Sequence, residues 1–309
     1  MKIFAGTSNP VLAGKIAAYL GADLGAVDIQ RFPDGETFVK IRDNIRGGDV
    51  FVVQSTCRQP NEMLMELLIM IDAMRRASAA RITAVLPYFG YARQDRKDQP
   101  RVPITAKLVA NLLVASGVNR VVAVDLHAQQ IQGFFDIPVD HLYTSPVMVK
   151  YVRELDLKHP LVVSPDTGGV KAAYAYSQML DTDLAIVAKE RRGPSEVNAY
   201  SIVGNVAGCD VLMVDDLTTT CGTLCAAARI LMENGAASVR GVVAHGLLTD
   251  QGLQRLKASP IKELVVTDTV PPIDPQGFPV TVLSVADLLG EAIQRIHNDK
   301  SVSSLFRLA

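Results

Sequence analysis

Short aliphatic and β-branched runs punctuate the chain, separated by longer stretches whose apolar positions recur at helical spacing. The first runs are Lys2-Ile3-Phe4-Ala5, Val50-Phe51-Val52-Val53, Ile82-Thr83-Ala84-Val85-Leu86 and Val121-Val122-Ala123-Val124. A second set comprises Leu161-Val162-Val163, Leu184-Ala185-Ile186-Val187, Val211-Leu212-Met213-Val214, Val239 to Ala244 and Leu264-Val265-Val266. Most are continuously apolar rather than alternating, the pattern of parallel strands buried on both faces. Interleaved with helices, they predict an α/β fold built from mainly parallel sheets. The two sets separate near Pro138–Pro146, which predicts two domains, 1–143 and 144–309. Val121–Asp125 and Val211–Asp215 both run apolar into aspartate, an echo that suggests duplication of one α/β unit.

Asn61 to Ser78 is the strongest helical pattern, with Asn61 a suitable N-cap and Leu64, Leu67, Leu68, Ile71 and Met74 on one face. Met65, Ile69 and Met70 make it apolar nearly all round, so it is expected to be a core helix, with a subunit contact as the alternative.

The densest chemistry lies in Val214-Asp215-Asp216-Leu217-Thr218-Thr219-Thr220-Cys221-Gly222-Thr223. A buried strand ending in two acids is followed by a polar loop that opens a helix from about Thr223 to Asn234, stopped by Gly235. A helix N-terminus offers unpaired N–H groups and positive dipole potential, so this loop suits a phosphate monoester. The paired acids suit neighbouring sugar hydroxyls or a metal-bound water. Capping alone does not require two acids and the Thr-x-Gly-Thr stretch together.

The balance of charge narrows the partners. A formal net charge of −1 gives no global field toward nucleic acid or membranes, so any anion must be held by local cations and amides. The start of the chain is broken by Gly6, Ser8, Asn9 and Pro10, unlike a signal peptide, and no stretch is apolar enough to span a bilayer. Cys57, Cys209, Cys221 and Cys225 show no CxxC spacing, so a reducing cytoplasm is expected and structural zinc is not.

The loop at 214–223 resembles the phosphoribosyl-diphosphate motif of the type I phosphoribosyltransferase fold. Further segments make the whole chain similar to the ribose-phosphate pyrophosphokinases: Arg31–Glu36, Tyr88–Arg96, Val124–Ala128, Gln130–Asp140, Val163–Asp166 with Gly168-Gly169, and Lys189-Glu190-Arg191. That resemblance implies two phosphoribosyltransferase-like domains, the first serving ATP and the second ribose 5-phosphate. It also implies transfer of the β,γ-diphosphoryl group of ATP to the C1 hydroxyl of the sugar, with Mg²⁺ as cofactor. The product would serve nucleotide and histidine biosynthesis.

By the same resemblance Lys189 and Arg191 are expected to be catalytic, Arg191 also contacting ribose 5-phosphate. Asp215, Asp216, Thr219, Thr220, Cys221, Gly222 and Thr223 would bind the sugar phosphate. Arg93, Gln94, Asp95 and Arg96 would face ATP, joined by Phe32, Asp34, Gly35 and Glu36 from a neighbouring subunit of a hexamer built from dimers. His127 and Asp166 would serve the Mg²⁺–ATP, Asp166 being the easier ligand because Mg²⁺ prefers oxygen. Ser301–Phe306 and Arg46 resemble parts of a regulatory site. Two places depart from most relatives: Thr219 stands where an acid is usual, and Thr249-Asp250-Gln251-Gly252 replaces a small Ser-Gly-Pro-Ala element after His245-Gly246. A phosphoribosyltransferase would not need the 88–96 segment. A non-catalytic regulatory relative would carry an altered lid, whereas Lys189, Arg191, His127 and Asp166 are all present.

Overall fold

The computed structural model describes the backbone of residues 1–190 and 199–305, and the side chains of 1–188 and 201–305. The chain divides into two compact units. In the first, β1 (Lys2–Ala5) is followed by the hairpin β2 (Val27–Arg31) and β3 (Thr37–Ile41), then β4 (Asp49–Val53), β5 (Arg81–Leu86), β6 (Arg120–Val124) and β7 (Val139–Leu142). Apart from the hairpin, these strands form one parallel sheet in the order β1-β4-β5-β6-β7. Helices α1 (Pro10–Tyr19), α2 (Pro60–Arg76) and α3 (Thr105–Ser116) flank it.

Successive residues of its strands feed opposite cores, as period-two geometry requires. Val50, Val52, Ile82 and Ala84 pack with α2 and α3, whereas Ile3, Phe51, Val53 and Val85 pack with α1. Helix α2 buries Leu64, Leu67, Met70, Ile71 and Met74 and leaves Met65 54% exposed, so it is chiefly a core helix. Gln59, not Asn61, holds its N-cap position with Pro60 in the first turn, and Asn61 accepts instead from the Tyr91 hydroxyl.

The second unit contains β8 (Pro160–Ser164), β9 (Leu184–Glu190), β10 (Ala199–Val203), β11 (Asp210–Thr218), β12 (Ser238–Gly246), β13 (Ile261–Thr267) and β14 (Val280–Leu283). They make one sheet in the order β10-β9-β8-β11-β12-β13-β14, parallel except for β10. Its helices are α4 (Ser145–Glu154), α5 (Val170–Leu180), α6 (Gly222–Glu233) and α7 (Asp250–Lys257). From β8 the order runs one way to β9 and from β11 the other way to β12, so the helices that follow cover opposite faces. Ala173 and Tyr176 of α5 share a core with Leu212 and Val214, while Leu224 and Ala228 of α6 share one with Val211 and Met213.

The expected division at 143 and 144 needs one correction. Among the described residues, 284–305, including α8 (Ala286–His297), belong to the first unit, as does Thr269–Pro271. Leu289, Ala292, Ile293 and Ile296 of α8 bury against Ile3, Leu12, Ile16 and Phe51, completing a core the first 143 residues leave open. Polar anchors fix the helix end. Arg81 donates Nε to Asp49 Oδ1 at 2.8 Å and Nη2 to Oδ2 at 2.6 Å, and also donates to the Ile296 carbonyl at 3.0 Å. His297 Nδ1 lies 2.8 Å from Asp49 Oδ2.

Partial burial raises the Asp49 carboxyl, but the Arg81 and His297 hydrogen bonds outweigh it and hold the group below the ordinary aspartate value. An acid whose folded value is depressed stabilises the fold above its unfolded value and loses that contribution as pH falls through the folded one. Asp49→Asn is therefore expected to cost about 2 kcal/mol at pH 7. Melting curves at stepwise lower pH should show the gap to the native chain closing below about pH 4.

Candidate functional site

Ligands of open α/β sheets bind beyond the carboxyl ends of the strands, where the order reverses. In the second unit that place lies between β8 and β11. Pairing of β8 with β11 ends at Met213↔Val163, whereas β11 stays paired with β12 through Thr218↔Gly246. The edge of β11 beyond Met213 is thereby left open toward the β8 side. Asp215 and Asp216 sit there, and β11 runs on past the expected end at the two acids to Thr218.

Across that opening the chain after β8 turns tightly around Asp166. Its Oδ1 accepts the N–H groups of Gly168 at 2.8 Å and Gly169 at 3.1 Å, leading into α5. Asp166 Oδ2 has no partner among the described residues. Burial, the neighbouring Asp216 and the charge of Asp166 push the Asp215 carboxyl up to about 8. Like charges gathered in a half-buried opening favour a proton until a cation or sugar hydroxyls take its place. The donors therefore suit a divalent ion that brings its own phosphate and water ligands. No group of three His, Cys, Asp or Glu side chains able to hold a metal alone exists among the described residues.

The loop after β11 has the geometry of an anion cradle. Cys221 occupies the N-cap of α6 with φ 54° and makes no side-chain capping bond, which leaves first-turn amides available. Thr219, Thr220 and Gly222 are half-buried, Thr223 is exposed, and Thr218 Oγ1 donates to Cys221 Sγ at 3.4 Å. Burial pushes the Cys221 thiol up to about 11, so it stays protonated and serves as a small loop residue.

In the first unit, Arg93, Gln94 and Arg96 are exposed and Asp95 half-buried on the loop after β5. Thr105 Oγ1 donates to Gln94 Oε1 at 2.5 Å, and the Gln94 carbonyl accepts from Ala106 at the start of α3. Gln130 Nε2 donates to Asp95 Oδ2 at 3.0 Å, tying this loop to the one after β6, where His127 is exposed. His141 of β7 steadies that second loop, its Nε2 accepting from Leu126 N at 2.9 Å.

The loop also has a buried anchor. Thr56 Oγ1 accepts from Gly90 N at 2.6 Å and donates to the Tyr88 carbonyl at 3.2 Å. A Cβ on Gly90 would stand 2.4 Å from the Thr56 carbonyl oxygen. Thr56, Thr105 and His141 carry no signal in the sequence, since each acts through a partner many positions away.

Phe32, Asp34, Gly35 and Glu36 form the β2–β3 turn. Phe32 N donates to the Glu36 carbonyl at 2.8 Å, and Phe32 is 50% exposed with its ring 5.9 Å from that of Phe38. No hydrogen bond among the described residues joins this tip to Arg93–Arg96. Lys189 lies in β9, its backbone paired with Tyr200 of β10, but its side chain lies outside the described residues, as does Arg191 altogether. Phe306 is likewise outside, while Arg46 donates to Ser78 Oγ at 3.3 Å. A shallow groove lined by Pro146, Val149, Lys150, Arg153 and Met179 contains none of these residues.

Fold and loop together define a two-unit α/β protein of phosphoribosyltransferase type. Residues 1–117 match the family model for the N-terminal domain of ribose phosphate pyrophosphokinase, and residues 191–307 match the phosphoribosyl synthetase-associated domain. The chain is 53% identical to the ribose-phosphate pyrophosphokinase of Rhizobium meliloti (strain 1021), covering 99% of this chain and 100% of the relative. It is 50% identical to that of Gloeobacter violaceus (strain ATCC 29082 / PCC 7421), with 99% and 93% covered. The crystal structure of phosphoribosylpyrophosphate synthetase from Mycobacterium smegmatis matches with a TM-score of 0.91 and 42% identity, over 96% of this chain and 99% of that one. The chain belongs to the ribose-phosphate pyrophosphokinase family.

Proposed function

We propose that this chain transfers the β,γ-diphosphoryl group of ATP to the C1 hydroxyl of ribose 5-phosphate, giving 5-phosphoribosyl 1-diphosphate and AMP. What carries the reading is a family member with an anion cradle and paired acids at the strand-order reversal. The amides of 219–223 hold the 5-phosphate, and Asp215 and Asp216 orient the ribose hydroxyls. Binding energy spent far from the chemistry then fixes the line of attack on the β-phosphorus. Arg93, Gln94, Asp95 and Arg96 hold ATP, arginine serving both adenine stacking and phosphate pairing. Lys189 and Arg191 bring positive charge to the transferring group, where electrostatic stabilisation is most effective.

A divalent cation suits phosphoryl transfer by this family, and Mg²⁺ is the ion proposed, bound with ATP phosphates through Asp166 and His127. Bound there, it neutralises charge on the phosphoryl oxygens. The chain is further proposed to form a hexamer built from dimers, Phe32–Glu36 completing the ATP site of another copy. The exposed Phe32 ring supports this reading. No helix of the described residues is long and apolar enough to cross a membrane. With all four cysteines free thiols, the cytoplasm is the proposed compartment.

Incubation with ATP, MgCl₂ and ribose 5-phosphate should release AMP in step with a sugar 1-diphosphate, read by ³¹P NMR. Release of ADP or of free phosphate instead would overturn the reading. Thr219→Asp is expected chiefly to change the Michaelis constant for ribose 5-phosphate, because the position faces the substrate rather than the transferring group. An unchanged sugar constant with collapsed turnover would remove Thr219 from the sugar-phosphate site.

A further inference from the structure

The anion cradle has a back as well as a front. Three successive carbonyls of the loop are tied to one following segment. Leu247 N donates to the Thr218 oxygen at 2.9 Å, and Thr249 N to the Thr219 oxygen at 3.3 Å. Thr249 Oγ1 reaches that same oxygen at 3.4 Å, and Arg255 Nη1 donates to the Thr220 oxygen at 3.1 Å. In a trans peptide the carbonyl and the next N–H point in opposite directions. With the oxygens of 218, 219 and 220 turned toward 247–255, the N–H groups of Thr219, Thr220 and Cys221 turn the other way. Those three N–H groups have no partner among the described residues.

The segment comes close enough for this only because of its own composition. Thr249 caps α7, its Oγ1 accepting from Gly252 N at 3.2 Å, which places the first turn of the helix beneath the loop. A Cβ on Gly252 would stand 2.5 Å from the Thr219 carbonyl oxygen, a backbone atom held by two other donors. Arg255, one turn on, is exposed and brings a cation to Gly222, where an added Cβ would stand 3.2 Å from Nη1.

We propose that Thr249, Gly252 and Arg255 are positioning residues for the sugar-phosphate loop, fixing its carbonyls from behind so that its amides face the 5-phosphate of ribose 5-phosphate. This assignment rests on the reading of the 219–223 loop given above. Here the Thr249–Gly252 sequence is part of the device that sets the loop's direction. Arg255 uses one N–H on a carbonyl, so lysine can replace it where alanine cannot.

Titration calorimetry with ribose 5-phosphate and no ATP tests positioning apart from turnover, with circular dichroism confirming that each variant is folded. Arg255→Ala is expected to weaken sugar binding roughly tenfold, the equivalent of one lost hydrogen bond near a charge, and Gly252→Ala by more. Arg255→Lys should stay within about threefold of the native chain, and the Michaelis constant for ATP within about twofold in all three. Folded variants with native sugar affinity would overturn the proposal, and so would equal losses of ATP and sugar affinity. If the native chain binds the sugar but releases no AMP, diphosphoryl transfer fails while the variants still judge positioning. If it turns over and the variants bind normally, positioning alone fails. No sugar binding by the native chain overturns both.

Discussion

Lys189→Ala is expected to lower turnover ~10³-fold or more, about 4 kcal/mol of transition-state stabilisation. The lysine is next to last in β9, where the ladder with β10 pairs Lys189 with Tyr200 and Glu190 with Ala199. Its backbone is therefore fixed by sheet pairing just before Arg191. If the cation meets the diphosphoryl group chiefly as charge develops, the constants for ATP and ribose 5-phosphate should move far less than the rate. Lys189→Arg should not restore full activity, because a planar fork does not reproduce a compact point charge. Steady-state kinetics on both variants decide the matter. An alanine variant within tenfold of native turnover would take Lys189 out of the mechanism.

Gly90→Ala is expected to be nearly as damaging by another route. The added methyl would meet the Thr56 carbonyl oxygen at 2.4 Å, and Thr56 is itself buried and bonded to Tyr88. Neither backbone can yield cheaply, so about 2–3 kcal/mol of stability should be lost, as for other overpacked sites. Displacement of the 88–96 loop should raise the Michaelis constant for ATP by up to ~10²-fold. The dissociation constant for ribose 5-phosphate alone should stay near its native value, since 219–223 lie in the other unit. Loss of sugar affinity equal to that for ATP would show unfolding rather than a displaced ATP loop.

The apolar runs were legible because a parallel strand buried on both faces has almost no choice but Val, Ile, Leu and Ala. Apart from β1, strands at edges or outside the two main sheets escaped this signal. Val139-Asp140-His141-Leu142 of β7 and Val280-Thr281-Val282-Leu283 of β14 are short and partly polar, and the β2–β3 hairpin holds only half-buried and exposed residues, alternating in β3. The strand–loop–helix passage through 214–223 was legible because a strand ending in acids, a polar loop and a helix start are contiguous in the chain. Arg255 was not, since it touches the loop from 35 positions away and looks like an ordinary residue of a short amphipathic helix, and Thr249 stood out only within a segment that departs from most relatives. The place of α8 was equally hidden. Its apolar periodicity demands a partner face but says nothing about which sheet supplies it.

That placement has a consequence for synthesis. The first unit holds β1, which precedes every other strand described, yet Val285, Leu289, Ile293 and Ile296, which close one of its two cores, are made only after the last strand of the second unit's sheet. Until they emerge, Phe51, Val85 and Val122 have one face uncovered. The second unit has its whole sheet by Leu283 and can consolidate earlier. The half made first is therefore the half finished last, and in the interval its open face is a surface for chaperones to shield.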